Sequence, residues 1–127
     1  MTSNRPSHDD VVAATDERAR SMVPQRVPVN AYTTDGAFVI VAPLAGVADS
    51  DVSVELTENR VRFWAELRSS GPRDFVVHEW EYGGYERVLD LPSGYGSGVE
   101  ASLTNGQLVV RVMSGDFAGD QTIQLGS

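Results

Sequence analysis

Apolar residues recur at every second position through most of the chain between positions 29 and 112. This is the period of a β-strand with one buried face, and no stripe with the i, i+3, i+4 spacing of a helix interrupts it. The segments 52–56 and 61–65 alternate most clearly, and a turn at 57–59 separates them. The run 37–42 is apolar almost without a break, which indicates a strand that is buried on both faces or has a central place in a sandwich.

A hairpin is predicted near the C-terminal end of this region. Asn105 and Gly106 lie between two alternating runs, 99–104 and 107–112. Both residue types tolerate the positive φ that a two-residue hairpin turn requires, and Asn-Gly in this setting is the strongest local hairpin signal. We therefore expect the two runs to pair antiparallel.

The remaining segments complete a predicted all-β fold. A short strand at 29–32, an extended stretch at 75–82 and a strand at 85–91 bring the total to about eight, at roughly 8–12 residue spacing. A polar loop at 67–74 and a flexible connection at 93–98 separate them. Short strands at this spacing predict an immunoglobulin-like antiparallel β-sandwich.

The chain divides into three parts. Residues 1–27 are polar and contain no aromatic residue, so we expect a flexible N-terminal arm, with at most one helical stretch at 10–22. Residues 28–112 form the sandwich domain, which is acidic because it holds twelve carboxylates and six arginines. Residues 113–127 form a C-terminal tail that contains several glycines.

The composition excludes several classes of protein. A net charge of −8 argues against nucleic acid as a partner, because nucleic acid binding needs a basic surface. The absence of cysteine excludes disulfides, thiolate metal sites and cysteine nucleophiles. No apolar run approaches the ~20 residues that cross a bilayer, and the N-terminus lacks the pattern of a signal peptide. We expect a cytoplasmic protein without a membrane span.

Candidate catalytic or metal-binding residues are few. His8 lies beside two aspartates in the arm, and His78 shares one face of the 75–82 stretch with Trp80. His78 could be a metal ligand, a base or a pH sensor, but a metal site needs further ligands nearby, which favours a half-exposed strand residue. The segment 94–98 only faintly resembles a phosphate-binding loop, because no helix follows it. We expect no enzyme activity, no cofactor and no metal.

Two apolar residues stand apart in the polar tail. Ile123 and Leu125 flank Gln124, so both side chains point to one side of an extended chain, which suits addition along a sheet edge. Full burial would contribute about 1.5–3 kcal/mol for each. A flexible connection of about ten residues spans ~17 Å, enough to reach a neighbouring subunit. The pattern fits equally a last strand of the same domain, or a disordered end.

The predicted hairpin also carries the most specific motif of the chain. It resembles the A-x-x-x-n-G-v-L signature of the small heat-shock protein family, whose members carry the α-crystallin domain. The matching residues are Ala101, Leu103, Asn105, Gly106 and Leu108. The segments 39–47, 51–54 and 82–92 are also similar to that family, and 123–125 resembles its I-x-I/V tail motif.

The resemblance implies an ATP-independent holdase, a chaperone that binds partly unfolded client proteins and limits their aggregation. It implies a homodimer formed by exchange of a strand on the loop 67–84, and larger homo-oligomers linked by tails that dock in a groove. The residues implied in strand exchange are Phe75, Val76, Val77, His78, Trp80 and Arg87. Those implied in tail docking are Ile123 and Leu125 on the tail and Val52, Val54, Leu56, Ala101 and Leu103 in the groove.

Two other functions fit the same fold. A non-catalytic adaptor or structural module of the co-chaperone type would bind a folded partner and remain monomeric. A hydrolase would need a cleft with interacting titratable groups, and the residues suggest no convincing one. Sizing chromatography separates the adaptor from the holdase, because only the holdase needs a second copy of the chain.

Overall fold

The structure is a computed structural model that describes residues 25–66, 74–77, 79 and 84–126. Within these residues the chain forms two β-sheets packed face to face, with a single 3-10 turn at Asp49–Asp51. The strands are β1 Gln25–Arg26, β2 Asn30–Thr33, β3 Ala37–Pro43, β4 Val52–Thr57, β5 Arg60–Glu66, β6 Gly84–Asp90, β7 Tyr95–Thr104, β8 Gln107–Ser114 and β9 Gln121–Gln124. The predicted all-β sandwich is confirmed.

The strand order places both ends of the described chain in one sheet. That sheet has the order β1-β6-β5-β4-β9, and the other has the order β2-β3-β8-β7. The described pairings are antiparallel except that of β1 with β6, which is parallel. The first and last described strands therefore form the opposite edges of the five-stranded sheet.

The inward faces of the strands form one hydrophobic core. On β4 and β5 every second residue is buried, which confirms the alternation predicted for 52–56 and 61–65. On β3 residues 37–40 are all buried, as the nearly continuous apolar run indicates. The largest fully buried side chains include Phe63, Ile40, Leu44, Leu56 and Leu108, which come from both sheets and from the loop after β3. Each contributes about 1.5–3 kcal/mol by its removal from water.

The β7–β8 hairpin closes as its sequence predicts. Asn105 has a φ of 53° and Gly106 a φ of 75°, and Thr104 pairs with Gln107 across them. Positive φ at both central positions is the geometry of a type I′ turn, whose twist matches that of the flanking strands. The predicted hairpin is therefore confirmed.

The connection predicted at 93–98 differs from the structure. Strand β7 begins at Tyr95 and continues through this segment, with an irregular register between Tyr95 and Val99. Gly96 lies in the irregular part with a φ of 147°, so the glycine lets the strand bulge and continue. The glycines therefore shape a strand here, where the sequence suggested a flexible linker.

The extended stretch predicted at 75–82 is described only in part. Its described residues, 75–77 and 79, lie in no strand, so the strand prediction is wrong for them in the single chain. A strand needs a neighbour for its N–H and C=O groups, and no described strand pairs with this segment. His78 and Trp80 lie outside the described residues, as do residues 1–24 with the helical stretch expected at 10–22.

The described chain enters the sandwich through a short strand that the sequence did not predict. Strand β1 pairs with the start of β6, and the following residue, Val27, is buried in the core. Arg87 lies on β6 directly opposite Phe63, and its Nη1 donates a 2.8 Å hydrogen bond to the carbonyl of Val27. This bond fixes the point where the chain crosses from β1 in one sheet to β2 in the other.

Gly106→Ala is expected to lower the free energy of unfolding by about 1–2 kcal/mol, because alanine is disfavoured in the left-handed region. The cost is conformational, since a Cβ at Gly106 meets no atom within 4 Å. Gly36→Ala is the matched control, because a Cβ there is equally free of contacts and the backbone does not adopt a positive φ. Urea denaturation at one fixed protein concentration measures both. Equal losses in the two variants would contradict the assigned turn.

Arg87→Gln is expected to destabilise the protein by about 1–3 kcal/mol, because it removes the charged donor to the carbonyl of Val27. Amide hydrogen exchange should also quicken in the segment 25–29, at each residue except Pro28, which has no N–H. Arg60→Gln is the control, since Arg60 pairs with Asp90 at 3.4 Å and both side chains are largely exposed. Its loss should stay below about 1 kcal/mol. Unchanged exchange at 25–29 in the Arg87 variant would refute the proposed role of the bond.

Candidate assembly surfaces

The edges of the two sheets are the places where another strand can add to the molecule. In the five-stranded sheet, β1 covers part of β6 and β9 covers β4. In the four-stranded sheet, β2 and β7 are the edge strands. Two surfaces follow from this arrangement: the groove between β4 and β7 on one side of the sandwich, and the edge of β2.

The groove between β4 and β7 contains the residues that the sequence analysis proposed for tail docking. Val52, Val54 and Leu56 line it from β4 and are fully buried. Ala101 and Leu103 lie on β7, where they are partly buried and pack against the core. The structure therefore brings the five proposed groove residues to one side of the sandwich.

The occupant of this groove is the tail of the same chain. Strand β9 pairs antiparallel with β4, with Ile123 opposite Val54, and the N–H of Leu125 donates a 3.0 Å hydrogen bond to the carbonyl of Val52. Leu125 is 6% exposed and belongs to the core, whereas Ile123 is half-buried. Of the alternatives left open by the spacing, the single chain adopts the last strand of its own domain. Docking of a tail on another copy stays a prediction.

The tail is also held by residues that the sequence analysis did not single out. The side-chain oxygen of Gln121 accepts a 3.1 Å hydrogen bond from the N–H of Val99 on β7. The side-chain amide of Gln124 donates a 2.9 Å bond to the carbonyl of Ser50. The two glutamines near the apolar residues of the tail were the available signal for these contacts. A glutamine side chain on an edge strand can form hydrogen bonds with the backbone of a neighbouring strand.

The edge of β2 is the second surface. All four of its residues are exposed, Tyr32 to 53%, and among the described strands β2 pairs only with β3. The loop between β5 and β6 carries further exposed apolar residues, with Phe75 at 39%, Val76 at 100% and Val77 at 68%. The chain therefore combines an open strand edge with an apolar segment that does not pack into its own core.

Arg87 was assigned to the dimer contact by resemblance, and the structure gives it an intrachain contact. Its side chain bonds the carbonyl of Val27 within the same chain, at the edge where β1 meets β6. This position explains the need for a long cation, because the buried crossing after β1 leaves a backbone carbonyl to be satisfied. A part for Arg87 in a dimer stays a prediction.

The outward face of the five-stranded sheet is mainly polar, with a partly exposed aromatic stack and the exposed Val88 opposite Arg62. The guanidinium of Arg62 lies 4.1 Å from the centre of the Trp64 ring, and its Nε bonds the carboxylate of Glu86. The two side chains of this ion pair are partly exposed, at 39% and 30%. Such pairs contribute little to stability at a surface, so we interpret the face as a solvated one.

The described part of the chain offers little for catalysis. It contains no group of three or more His, Cys, Asp or Glu side chains that could hold a metal ion. Burial raises the pKa of Tyr85, whose hydroxyl donates a 3.0 Å hydrogen bond to the carbonyl of Ala45. This bond is structural, because it ties β6 to the loop after β3.

His8 and His78 lie outside the described residues. No described helix is long and apolar enough to cross a membrane.

The chain resembles known proteins in both sequence and fold. Residues 30–124 match the model of the Hsp20/alpha crystallin family. A curated relative, spore protein SP21 of Stigmatella aurantiaca (strain DW4/3-1), is 32% identical over 99 residues. The match covers 74% of this chain but only 58% of the relative, so the chain spans little more than half of that protein's length.

Solved structures of similar proteins share the fold. The hspA protein from Xanthomonas axonopodis superimposes with a TM-score of 0.65 at 24% identity, over 72% of this chain and 96% of that one. A small heat-shock protein from Xylella fastidiosa superimposes with a TM-score of 0.65 at 22% identity, over 83% of this chain and 100% of that one. HSP18.5 from E. histolytica has a TM-score of 0.62 at 18% identity, over 74% of this chain and 92% of that one.

The family match includes both surfaces described above, since residues 30–124 begin at β2 and end with β9. Proteins of this family are non-enzymatic chaperones and are typically oligomeric. The β-sandwich, the Asn-Gly hairpin and the matched span agree with one another, and this chain belongs to the Hsp20/alpha crystallin family of small heat-shock proteins.

Proposed function

We propose that this chain is an ATP-independent holdase that binds partly unfolded proteins and suppresses their aggregation, with a strand-exchanged homodimer as its working unit. The observation that carries the proposal is the open edge of β2 together with an exposed apolar segment on the same chain. Each of these features alone favours association, because unpaired strand groups and exposed apolar surface both gain from a partner. Family membership supports the chaperone role.

The two features complement each other chemically. Added to β2 of a second copy, the segment 75–81 would supply the N–H and C=O groups that this edge lacks. In an extended conformation Val76 shares a face with His78 and Trp80, while Phe75 and Val77 share the other face with Glu79. Both faces of the added strand would thus carry apolar side chains that could be buried. Burial of Val76 alone would contribute about 1.5 kcal/mol or more.

Client proteins would bind to apolar surface that the sandwich leaves exposed. Apart from the loop, this surface includes Tyr32 on β2 and Val88 on β6, which are 53% and 46% exposed. Partly unfolded chains expose apolar segments and unpaired strand groups, and both can bind such a surface. The net charge of −8 would keep a loaded assembly in solution and makes nucleic acid an unsuitable partner. Small heat-shock proteins are usually cytoplasmic, and we assign this chain to the same compartment.

The alternative is a non-catalytic adaptor that binds a folded partner as a monomer. One observation favours it: the described chain completes its own core, including the strand that its tail supplies. The two functions predict species of different mass in solution. A species of 13.7 kDa in sizing chromatography favours the adaptor, and one of twice that mass or more favours the holdase.

The holdase function predicts that the protein suppresses the heat-induced light scattering of a labile client enzyme without ATP. Suppression should be clear at one subunit per client chain, because each subunit offers its own apolar surface. An equal mass of an inert globular protein is the control for crowding and surface effects. Scattering that follows the control at this ratio would count against the holdase.

Strand exchange predicts that Val76→Asp weakens the dimer at least about tenfold, since a loss of 1.4 kcal/mol corresponds to that factor. The substitution should not disturb the free chain, because Val76 is 100% exposed there. Val88→Asp is the matched control, as it makes the same change at an exposed valine outside the loop. Native mass spectrometry over a dilution series measures the dissociation constants. Equal weakening in both variants, or in neither, would refute the exchange.

A further inference from the structure

The tip of the β7–β8 hairpin consists of an asparagine followed by a glycine, and both lie at the surface. Asn105 and Gly106 are exposed, with φ values of 53° and 75°. The register pairs Thr104 with Gln107 and leaves the two turn residues outside the ladder. A Cβ placed on Gly106 would meet no atom within 4 Å, so the space beside its backbone is open. Rotation of Asn105 can therefore bring its side chain to the Gly106 nitrogen without displacing another residue.

This arrangement permits a reaction between the asparagine side chain and the backbone that follows it. The nitrogen of Gly106 attacks Cγ of Asn105, which forms an N–Cγ bond and closes a five-membered succinimide ring. The Cγ–Nδ2 bond breaks, and the proton of the Gly106 N–H leaves with the side-chain nitrogen as ammonia. Glycine favours the attack, because it has no side chain to shield its nitrogen. Water then opens the ring, and no oxidant, reductant or cofactor takes part.

The ring has two carbonyls, and water gives a different product at each. Hydrolysis at Cγ gives an aspartate with the normal backbone, whereas hydrolysis at the main-chain carbonyl of Asn105 gives isoaspartate. In isoaspartate the backbone runs through Cβ and Cγ, so the turn gains one methylene. Both products carry a carboxylate in place of an amide, which adds one negative charge to a chain whose net charge is −8.

Asn59 in the β4–β5 turn offers a contrast within the same chain. It is exposed and has a φ of 74°, so it resembles Asn105 in exposure and backbone conformation. The residue after it, Arg60, begins β5 and pairs with Thr57 across the turn. Attack by the Arg60 nitrogen would disrupt that pair, and the arginine side chain also shields the nitrogen. The reaction is therefore hindered at position 59 and accessible at position 105.

The carbonyl of Gly106 ties the hairpin tip to the loop after β3. It accepts a 2.8 Å hydrogen bond from the N–H of Leu44, which is fully buried. The adjacent register partners are Pro43 and Gln107, so this bond lies at the end of the β3–β8 pairing. An extra methylene immediately before Gly106 displaces its carbonyl from this position. The bond to Leu44 then loses the geometry on which its strength depends.

We propose that Asn105 is a site of spontaneous deamidation and isoaspartate formation in the folded protein, and that the isoaspartate product releases the hairpin tip from Leu44. Chains that have existed longer then carry more of the modified tip, and their β8 strand is held less firmly beside β3. The inference does not rest on the proposed holdase function, since it needs only the hairpin and its contact with Leu44.

Incubation of the folded full-length protein at mildly alkaline pH tests the reaction. Samples are digested at acidic pH, and mass spectrometry follows the change from amide to carboxyl in the peptides that contain Asn105 and Asn59. We expect conversion at Asn105 to be at least about tenfold faster, because freeing the Arg60 nitrogen costs about one hydrogen bond. The Asp35-Gly36 sequence does not disturb the measurement, because an aspartate undergoes no such mass change. Equal rates at the two positions, or no conversion at Asn105, would overturn the proposal.

A second test separates the longer backbone from the added charge. Modified chains are resolved by anion exchange, and enzymatic methylation of the peptide that contains position 105 identifies the isoaspartate form. Asn105→Asp is the matched control, because it has the same charge and a backbone of normal length. Amide exchange at Leu44 should quicken about tenfold in the isoaspartate form and much less in the control, since only the isoaspartate form loses the bond to the Gly106 carbonyl. Exchange at Leu44 that is equal in the two proteins would overturn the release of the tip.

Discussion

Every strand at the edge of a sheet has backbone N–H and C=O groups on one side that lack a strand partner, and this constraint governs the organisation of the chain. The edge of β4 is covered by β9, and the start of β6 is covered by β1. A glutamine side chain bonds the edge of β7 at Val99. Among the described strands, β2 keeps an open edge over its whole length, with four exposed residues. The molecule therefore has one side where the edge of β4 is covered, and another side where the edge of β2 is open to association.

The covered edge of β4 depends on a few small contacts that act together. Leu125 supplies apolar burial, Gln121 and Gln124 supply bonds to backbone groups, and Gly126 allows the last turn. Each contact is worth only about 0.5–3 kcal/mol, and ordering each residue of the strand costs about 1–2 kcal/mol. In the single chain the tail therefore docks because its connection is short, which removes much of the cost of bringing the strand to its site.

The local sequence was sufficient to predict those elements whose pattern of residues lies within a short stretch of chain. The alternation in β4 and β5, the apolar run of β3 and the Asn105-Gly106 turn follow from side-chain period and backbone preference alone. The fold class followed from these elements and their spacing. The family motif followed from the same hairpin, so its strongest residues are those that the turn and the core require.

The remaining features depend on contacts between distant residues. The two apolar residues on either side of Gln124 predict a strand that adds to a sheet edge. They do not indicate whether that edge belongs to the same chain or to another copy. Glycines at 94–98 and 115–119 suggested flexibility, whereas the structure uses some of them for a bulge and for turns with positive φ. Strand β1 has only two residues, too few for any period to be seen. The hydrogen bond from Arg87 to Val27 spans sixty residues of sequence, and no local pattern encodes it.

The placement of β1 and β9 at opposite edges of the five-stranded sheet has an evolutionary consequence. The segments leading to the two chain ends contact different strands, β6 and β4, while the open edge of β2 belongs to the other sheet. Mutations that lengthen, shorten or recompose one of these segments can therefore accumulate without compensating changes in the other or at β2. The two terminal segments can thus vary separately, whereas the packing of the sandwich between them limits the changes that it tolerates.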